Sequence, residues 1–317
     1  MTKNKHIIFI MFGVILIVLV ELYVYYFRFI REKEKTDITV VVYEDDKNWA
    51  DLKEGAELAA SKEDNVEVYF QVVPANLTAD EQIEVINNEF ESGADYVIVS
   101  AIDSYELGTK LNGAYIPRLS FVANGIDDER YNIVSPNDYE MGYQLGKLIE
   151  SQESYDAKIG IVHTDEKKES LNARCKGLTD ALDERKSNYV VWNQSDAYSG
   201  IRAFVYSEIV KGNVDIVISI NEGSLDYITA AVKDSGIYIP VYAIAHSDKA
   251  VYYLDSRKIK NLVYPDEFGE GYTAVTNALQ HSKKGNKYSD DIITFKIISR
   301  DDMYSGEYEK VLFPFVK

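Results

Sequence analysis

The chain of 317 residues holds one cysteine, four histidines and two tryptophans, so few of its side chains suit metal, thiol or stacking chemistry. Cys175 alone excludes an intrachain disulfide and a cysteine-based zinc cluster, and His6, His163, His246 and His281 are too scattered to suggest a metal by spacing. There is no Gly-x-Ser-x-Gly elbow, no phosphate-cradling Gly-x-x-x-x-Gly-Lys and no His-Glu-x-x-His. Gly269-x-Gly271 lacks the third glycine of a dinucleotide loop and reads as a packing turn. The acidic triplet Glu44-Asp45-Asp46 runs into Lys47, Asn48 and Trp49, which breaks the alternation of a calcium loop, so it reads as a solvated loop. Asn76-Leu-Thr78 is a glycosylation sequon only in a eukaryotic secretory pathway. No enzyme activity, cofactor or metal is therefore expected.

What remains is recognition chemistry. Arg174 falls in the first turn of a predicted helix over 171–184 whose Leu171, Leu178, Ala181 and Leu182 face a sheet. A guanidinium there opposes the helix dipole by a few tenths of a kcal/mol, so a partner must offset its placement. That partner is either a ligand whose oxygens accept a forked hydrogen bond, or a carboxylate such as Asp138 or Glu169.

Charge narrows the class of partner. Lysine and arginine number 34 against 52 acids, a formal charge of −18. Residues 1–36 carry net +3, which leaves −21 on the rest. Nucleic acid is not an expected partner, because phosphate binding needs clustered basic side chains. The N-terminus holds an apolar run, 7–27, that starts after Lys3 and Lys5, is interrupted by Glu21, and ends in Tyr23, Tyr25, Tyr26 and Phe27. At 1.5 Å per residue about 21 residues span a bilayer core, and the run lacks a small-residue cleavage site, so it reads as an uncleaved membrane anchor, with a late-cleaved signal peptide as the alternative. Basic residues flank both ends and do not decide its orientation.

Beyond residue 36, apolar runs rich in Val, Ile and Tyr at 38–43, 66–73, 96–100, 118–122, 158–163, 189–192, 215–220, 241–245, 261–264 and 292–298 alternate with helical periods at 50–61, 79–92, 139–151, 171–184, 200–211, 223–235 and 270–281. Near-continuous apolar strands between helices predict parallel sheets covered on both faces. The expected fold class is α/β, with two doubly wound parallel-sheet lobes preceded by one transmembrane helix. No linker divides the chain after residue 36, which predicts lobes joined by several crossings. Ligands of such sheets bind at the carboxyl ends of strands.

In those loops the chain resembles the sugar-binding branch of the type I periplasmic binding proteins, as in ribose-binding protein. The residues that carry the resemblance are Leu52-Lys-Glu-Gly-Ala56, Ser100-Ala-Ile-Asp-Ser104, Ile116-Pro117, Asn137-Asp-Tyr-Glu-Met-Gly-Tyr-Gln-Leu-Gly146, Asn172-Ala-Arg-Cys-Lys-Gly177 and Asn221-Glu222, in family order and spacing. The resemblance implies a multi-strand hinge, with an N-lobe of 37–135 and 264–290 and a C-lobe of 136–263 and 291–317. It places the binding domain outside the cytoplasm, after a cytoplasmic tip at 1–6, the anchor at 7–27 and a linker at 28–36. Position by position it implies that Trp49 and Tyr198 stack on a sugar ring, that Asp46, Asn137, Asp138 and Asn221 bind hydroxyls, and that Arg174 forks onto ring oxygens. Five of them have a structural alternative: a hydrophobic staple for Trp49, an ordinary place among 25 tyrosines for Tyr198, helix caps for Asp138 and Asn221, and a salt bridge for Arg174.

The family's usual polar positions are occupied by Val122, Ala123, Ala245 and Val263. A buried sugar hydroxyl without a partner costs about 1–3 kcal/mol, so a fully hydroxylated hexose is disfavoured unless neighbours such as Asn124, His246, Ser247, Asp248 and Glu267 substitute. The resulting expectation is an anchored, single-pass sensor for a small sugar-like solute, signalling to a membrane partner such as a histidine kinase. The alternatives are the solute receptor of an ABC sugar transporter, with a permease as partner, and an interaction module with a degenerate pocket.

Overall fold

The computed structural model describes residues 13–23, 35–44, 49–113, 115–164, 166–194, 198–284, 293–306, 308 and 312. Residues 13–23 are helical, α1. Among the described residues no helix is long and apolar enough to cross a membrane. This overturns the anchor expected over 7–27, and with it the membrane partner, the transmembrane term of the fold class and the single-pass localisation. Residues 7–12 and 24–27 of that run lie outside the described residues.

The first lobe is a five-stranded parallel sheet of order β2-β1-β3-β4-β5. Its elements are β1 (Thr36–Tyr43), α2 (Ala50–Ser61), β2 (Val66–Val73), α3 (Ala79–Glu91), β3 (Tyr96–Val99), α4 (Ser104–Leu111), β4 (Leu119–Val122) and β5 (Asn132–Val134). β1, β3 and β4 lie between neighbours and consist almost wholly of buried residues, as strands covered on both faces must. The edge strand β2 is instead largely half-buried or exposed, with only Val73 buried.

The second lobe follows with α5 (Asp138–Gln152), β6 (Lys158–His163), α6 (Glu169–Arg185), β7 (Asn188–Asn193), α7 (Tyr198–Val210), β8 (Ile216–Ser219), α8 (Glu222–Ser235), β9 (Val241–Ile244), α9 (Asp248–Asp255), β10 (Asn261–Pro265), α10 (Glu267–Lys284) and β11 (Phe295–Ser299). Its six strands run β11-β10-β9-β8-β6-β7, all parallel except β11, which pairs antiparallel with β10. The chain passes between the lobes side by side. Pro136 bridges Ile293, and the Asp266 amide donates to the Thr294 carbonyl at 3.1 Å. Although α10 follows a second-lobe strand, its Ala274, Val275, Ala278 and Leu279 lie in the first-lobe core with Val41 and Phe121.

In each lobe two helices cross in near backbone contact through a pair of glycines. A Cβ on Gly55 of α2 would sit 2.0 Å from the Phe268 carbonyl oxygen, and one on Gly271 of α10 would sit 1.9 Å from that of Leu52. Gly142 of α5 meets the Arg174 carbonyl oxygen, and Gly177 of α6 meets that of Tyr139, each at 1.9 Å. No larger residue fits these positions, so the glycines fix how closely α2 packs on α10 and α5 on α6.

Candidate functional site

The carboxyl ends of both sheets point at one another, and the loops leaving them bring polar side chains into the seam. In the second lobe, Arg174 and Asp138 form a buried ion pair. The guanidinium Nε donates to Asp138 Oδ1 at 2.7 Å and Nη1 donates to the Ile220 carbonyl at 3.3 Å, with both side chains under 10% exposed. The carboxylate alternative for Arg174 is thus present. Asp138 is the first residue of α5 and not its cap. That role falls to Asn137, whose Oδ1 accepts from the Glu140 amide at 3.0 Å.

Asn221 sits at the N-cap position of α8 but makes no side-chain cap. Its Nδ2 donates to Thr164 Oγ1 at 2.8 Å, and its Oδ1 accepts from the Ser224 hydroxyl at 2.7 Å, which ties the end of β8 to the end of β6.

Trp49 precedes α2 and is 9% exposed. Its indole N–H donates to the Tyr43 carbonyl at 2.9 Å and its ring meets the Tyr43 ring edge-on at 5.7 Å, so one polar handle and one face serve the packing of its own loop. Tyr198 opens α7, and its side chain, like Asp46, lies outside the described residues.

On the hinge side the two lobes share an acidic cluster. His246, leaving β9, places Nε2 at 3.0 Å from Oε1 of Glu267, the first residue of α10, and both are buried. Asp51 of α2 accepts from the Tyr264 hydroxyl at 3.4 Å. Burial first, then the charges of Glu267 and Asp248, push the Asp51 carboxyl above its usual range, while His246 pulls it back. Burial likewise pushes up the Tyr264 phenol. The loop bearing His246 is held by Glu222, whose carboxylate accepts from the amides of His246 (3.1 Å) and Ser247 (3.3 Å) and from the Ser247 hydroxyl.

The expected site residues thus separate into groups. Asp138, Arg174 and Asn221 converge at the mouth of the second lobe, and His246 and Glu267 meet across the hinge. Trp49 and Asn137 are occupied locally. Asp51, Thr164, Glu222 and Tyr264 join the site without having been expected. Asp51 and Glu222 are acids in the first turn of helices, a placement that complements the helix dipole and carries no further signal in sequence. Val122, Ala245 and Val263 are buried in apolar cores, and Ala123 is buried with φ at +61°. Among the described residues, no group of three or more His, Cys, Asp or Glu is placed to hold a metal ion.

Residues 38–287 match the model of the periplasmic binding protein domain family. The chain belongs to that family. Its members are non-catalytic binding components, and the chain is a binder and not an enzyme. No curated protein sequence matches the chain.

Among solved structures, a solute-binding protein of an ABC transporter from Agrobacterium vitis with bound D-fucose is similar at a TM-score of 0.77 and 15% identity, over 87% of this chain and all of that one. A carbohydrate-transporter solute-binding protein from Agrobacterium radiobacter in complex with D-arabinose gives 0.76 and 16%, over 89% of this chain and all of that one. A glucose-galactose binding protein from Geobacillus stearothermophilus gives 0.72 and 17%, over 86% of this chain and all of that one. At these identities the likeness is one of fold. The anchored sensor expected from the sequence is not supported, because among the described residues no helix is long and apolar enough to anchor it.

Proposed function

We propose that this periplasmic binding protein domain is the extracytoplasmic sugar receptor of an ABC-type importer, closing its two lobes on a monosaccharide and presenting it to a permease. The observation that carries the reading is the convergence of buried polar side chains, Asn124, Asp138, Arg174, Asn221, His246 and Glu267, on one cleft between two hinged sheets. Sugar sites need this mixture of fixed donors and acceptors beside apolar walls. The sugars bound by similarly folded proteins point the same way. The lobes assigned to the two halves of the site are 37–135 with 264–290, and 136–263 with 291–317.

Val122, Ala123, Ala245 and Val263, which stand where the family's sugar binders carry polar side chains, offer no partner to the hydroxyls of a hexose, and so favour a solute with fewer of them. Asp51 joins His246 and Glu267 as the hinge-side acceptor set.

The test is a thermal-shift and calorimetric screen of D-fucose, D-arabinose, D-glucose and D-galactose against the full chain. A ligand at a hundred times its dissociation constant adds about 2.7 kcal/mol and raises Tm by several degrees. Pentoses and deoxy sugars are expected to outrank the hexoses. Failure of every sugar to move Tm overturns the reading.

A further inference from the structure

The second lobe carries a groove of about 520 Å³ at the end of its sheet away from the cleft. Its walls are the last turn of α5, the segments that enter β9 and β10, and the segment that leaves β11. Because β9 and β10 run parallel and β11 antiparallel to them, these segments all lie at the amino ends of β9 and β10. The five residues of β10 put its two ends about 13 Å apart, so the groove is separate from the loops that bear His246 and Glu267.

The charge of this groove opposes that of the chain. Arg257, Lys258, Lys260 and Arg300 line it against one acid, Asp301, in a protein with a formal charge of −18. Two of the cations are neutralised locally. The Lys260 ammonium lies 2.8 Å from Glu153 Oε1, and Arg300 pairs with Asp255 at 3.3 Å. The other two are not. Among the described residues Arg257 makes no ion pair, and Lys258 rests on the rings of Tyr252 and Tyr253, 5.0 and 4.7 Å from their centres, with no carboxylate.

A second, independent feature points into the same space. Asn261 is 4% exposed and lines the groove, yet its carboxamide has no hydrogen-bond partner among the described residues. Alternation along β10 sets its direction. Leu262 packs with Leu254 and Ile259 on one face of the sheet, and Val263 packs with Met141 and Ile149 of α5 on the other. Asn261 shares the face of Val263, the side on which Gln152 at the end of α5 closes the groove. A buried amide without a partner is destabilising, and an apolar side chain would serve the fold better unless a group from outside completes the bond.

We propose that this groove binds a small polyvalent anion bearing phosphate or carboxylate groups. The Arg257 guanidinium forks onto two of its oxygens, Lys258 adds a point charge, and the Asn261 amide donates from the floor. Asp301 is exposed at the rim and leaves the balance of the lining positive. The site is distinct from the sugar cleft and does not depend on that reading.

The experiment adds pyrophosphate or citrate to the full chain at constant ionic strength, with sodium chloride as the reference, and follows melting and heats of binding. At least one of the two anions is expected to raise Tm by several degrees at a hundred times its dissociation constant, while chloride leaves it unchanged. A response to pyrophosphate alone identifies a phosphate ligand, and a response to citrate alone a carboxylate.

Two variants locate the response. Arg257 has φ at +58°, a conformation that suits glycine, so Arg257→Gly removes the guanidinium and leaves the turn in place. It is expected to weaken binding ten- to a hundredfold, the usual worth of a charge-assisted hydrogen bond. Asn261→Leu is expected to weaken binding about tenfold while the ligand-free Tm holds or rises, because an apolar group replaces an unpaired amide. Failure of both anions to move Tm overturns the site, as does a shift that survives both variants unchanged. Either result leaves the sugar screen untouched, since its residues lie at the other ends of the strands.

Discussion

The helix crossings α2/α10 and α5/α6 share a backbone geometry and differ in charge. In both, paired glycines bring one helix against the carbonyls of the other, with no space for a Cβ. At the mouth of α5/α6 the charges cancel, because Arg174 and Asp138 are paired and buried together. At the mouth of α2/α10, Asp51 faces the carboxylates of Glu267 and Asp248, and His246, brought from the other lobe, and the Tyr264 hydroxyl act against them. The same steric device therefore holds two electrostatic settings. A neutralised pair organises packing, whereas an acid set shared between lobes keeps its stability sensitive to protons.

The sharpest way to break this contrast is at Arg174. Arg174→Ala strands the Asp138 carboxylate in the interior and is expected to cost about 3–5 kcal/mol in denaturant unfolding. Replacing both partners by apolar side chains, Arg174→Met with Asp138→Leu, is expected to recover most of that loss. A single variant as stable as wild type would show that the pair is not structural and return Arg174 to the ligand.

The steric half of the comparison comes next in size. Gly142→Ala and Gly55→Ala each push a methyl onto a backbone carbonyl that cannot turn away, at about 2–3 kcal/mol and a fall in Tm of several degrees. Equal losses in the two variants would confirm that the crossings are equivalent. A loss confined to one lobe would end the parallel.

The smallest effect is the pH response. Asp51 is raised by burial first, and Glu169 by burial first and then by Asp138 and by Asp127 of the opposite lobe. A carboxyl whose folded pKa lies above its unfolded value takes up protons on folding, so its contribution grows as pH falls from neutral toward the ordinary carboxylate range and is lost as pH rises through the raised value. Partial exposure keeps the gain small, about 1–3 °C in Tm between pH 7 and 5. Exposed carboxylates held low by hydrogen bonds, such as Glu81 and Asp180, lose their contribution only at lower pH. Melting curves of wild type against Asp51→Asn and Glu169→Gln check it. Wild type that loses stability steadily over this interval would remove the acid set from the comparison.

Much of the alternation was legible. The long apolar runs at β1, β2 and β6 and the helical periods at α2, α3 and α6 carry several turns or pleats of pattern each, enough for periodicity to register. The elements that were not legible are short. α4 and α9 have eight residues and β5 has three, too few repeats for a period to stand out. The apolar run at 7–27 has the length and hydropathy of a membrane span, yet among the described residues no helix is long and apolar enough to cross a membrane.

The site was less legible than the fold. Local chemistry such as the capping box of Thr78 and Glu81 is written within four residues of sequence. The partners of Arg174 lie 36 and 46 residues away.

The sequence by itself determined the α/β alternation, the acidic net charge and the absence of disulfide and catalytic motifs, since all of these follow from residue type and short-range period. Only the tertiary structure decided that Arg174 is spent on Asp138, that β11 runs antiparallel, and that Asp51 joins His246 and Glu267. Each of those depends on which distant segments become neighbours, and that is set by how the two sheets and their crossing glycines pack.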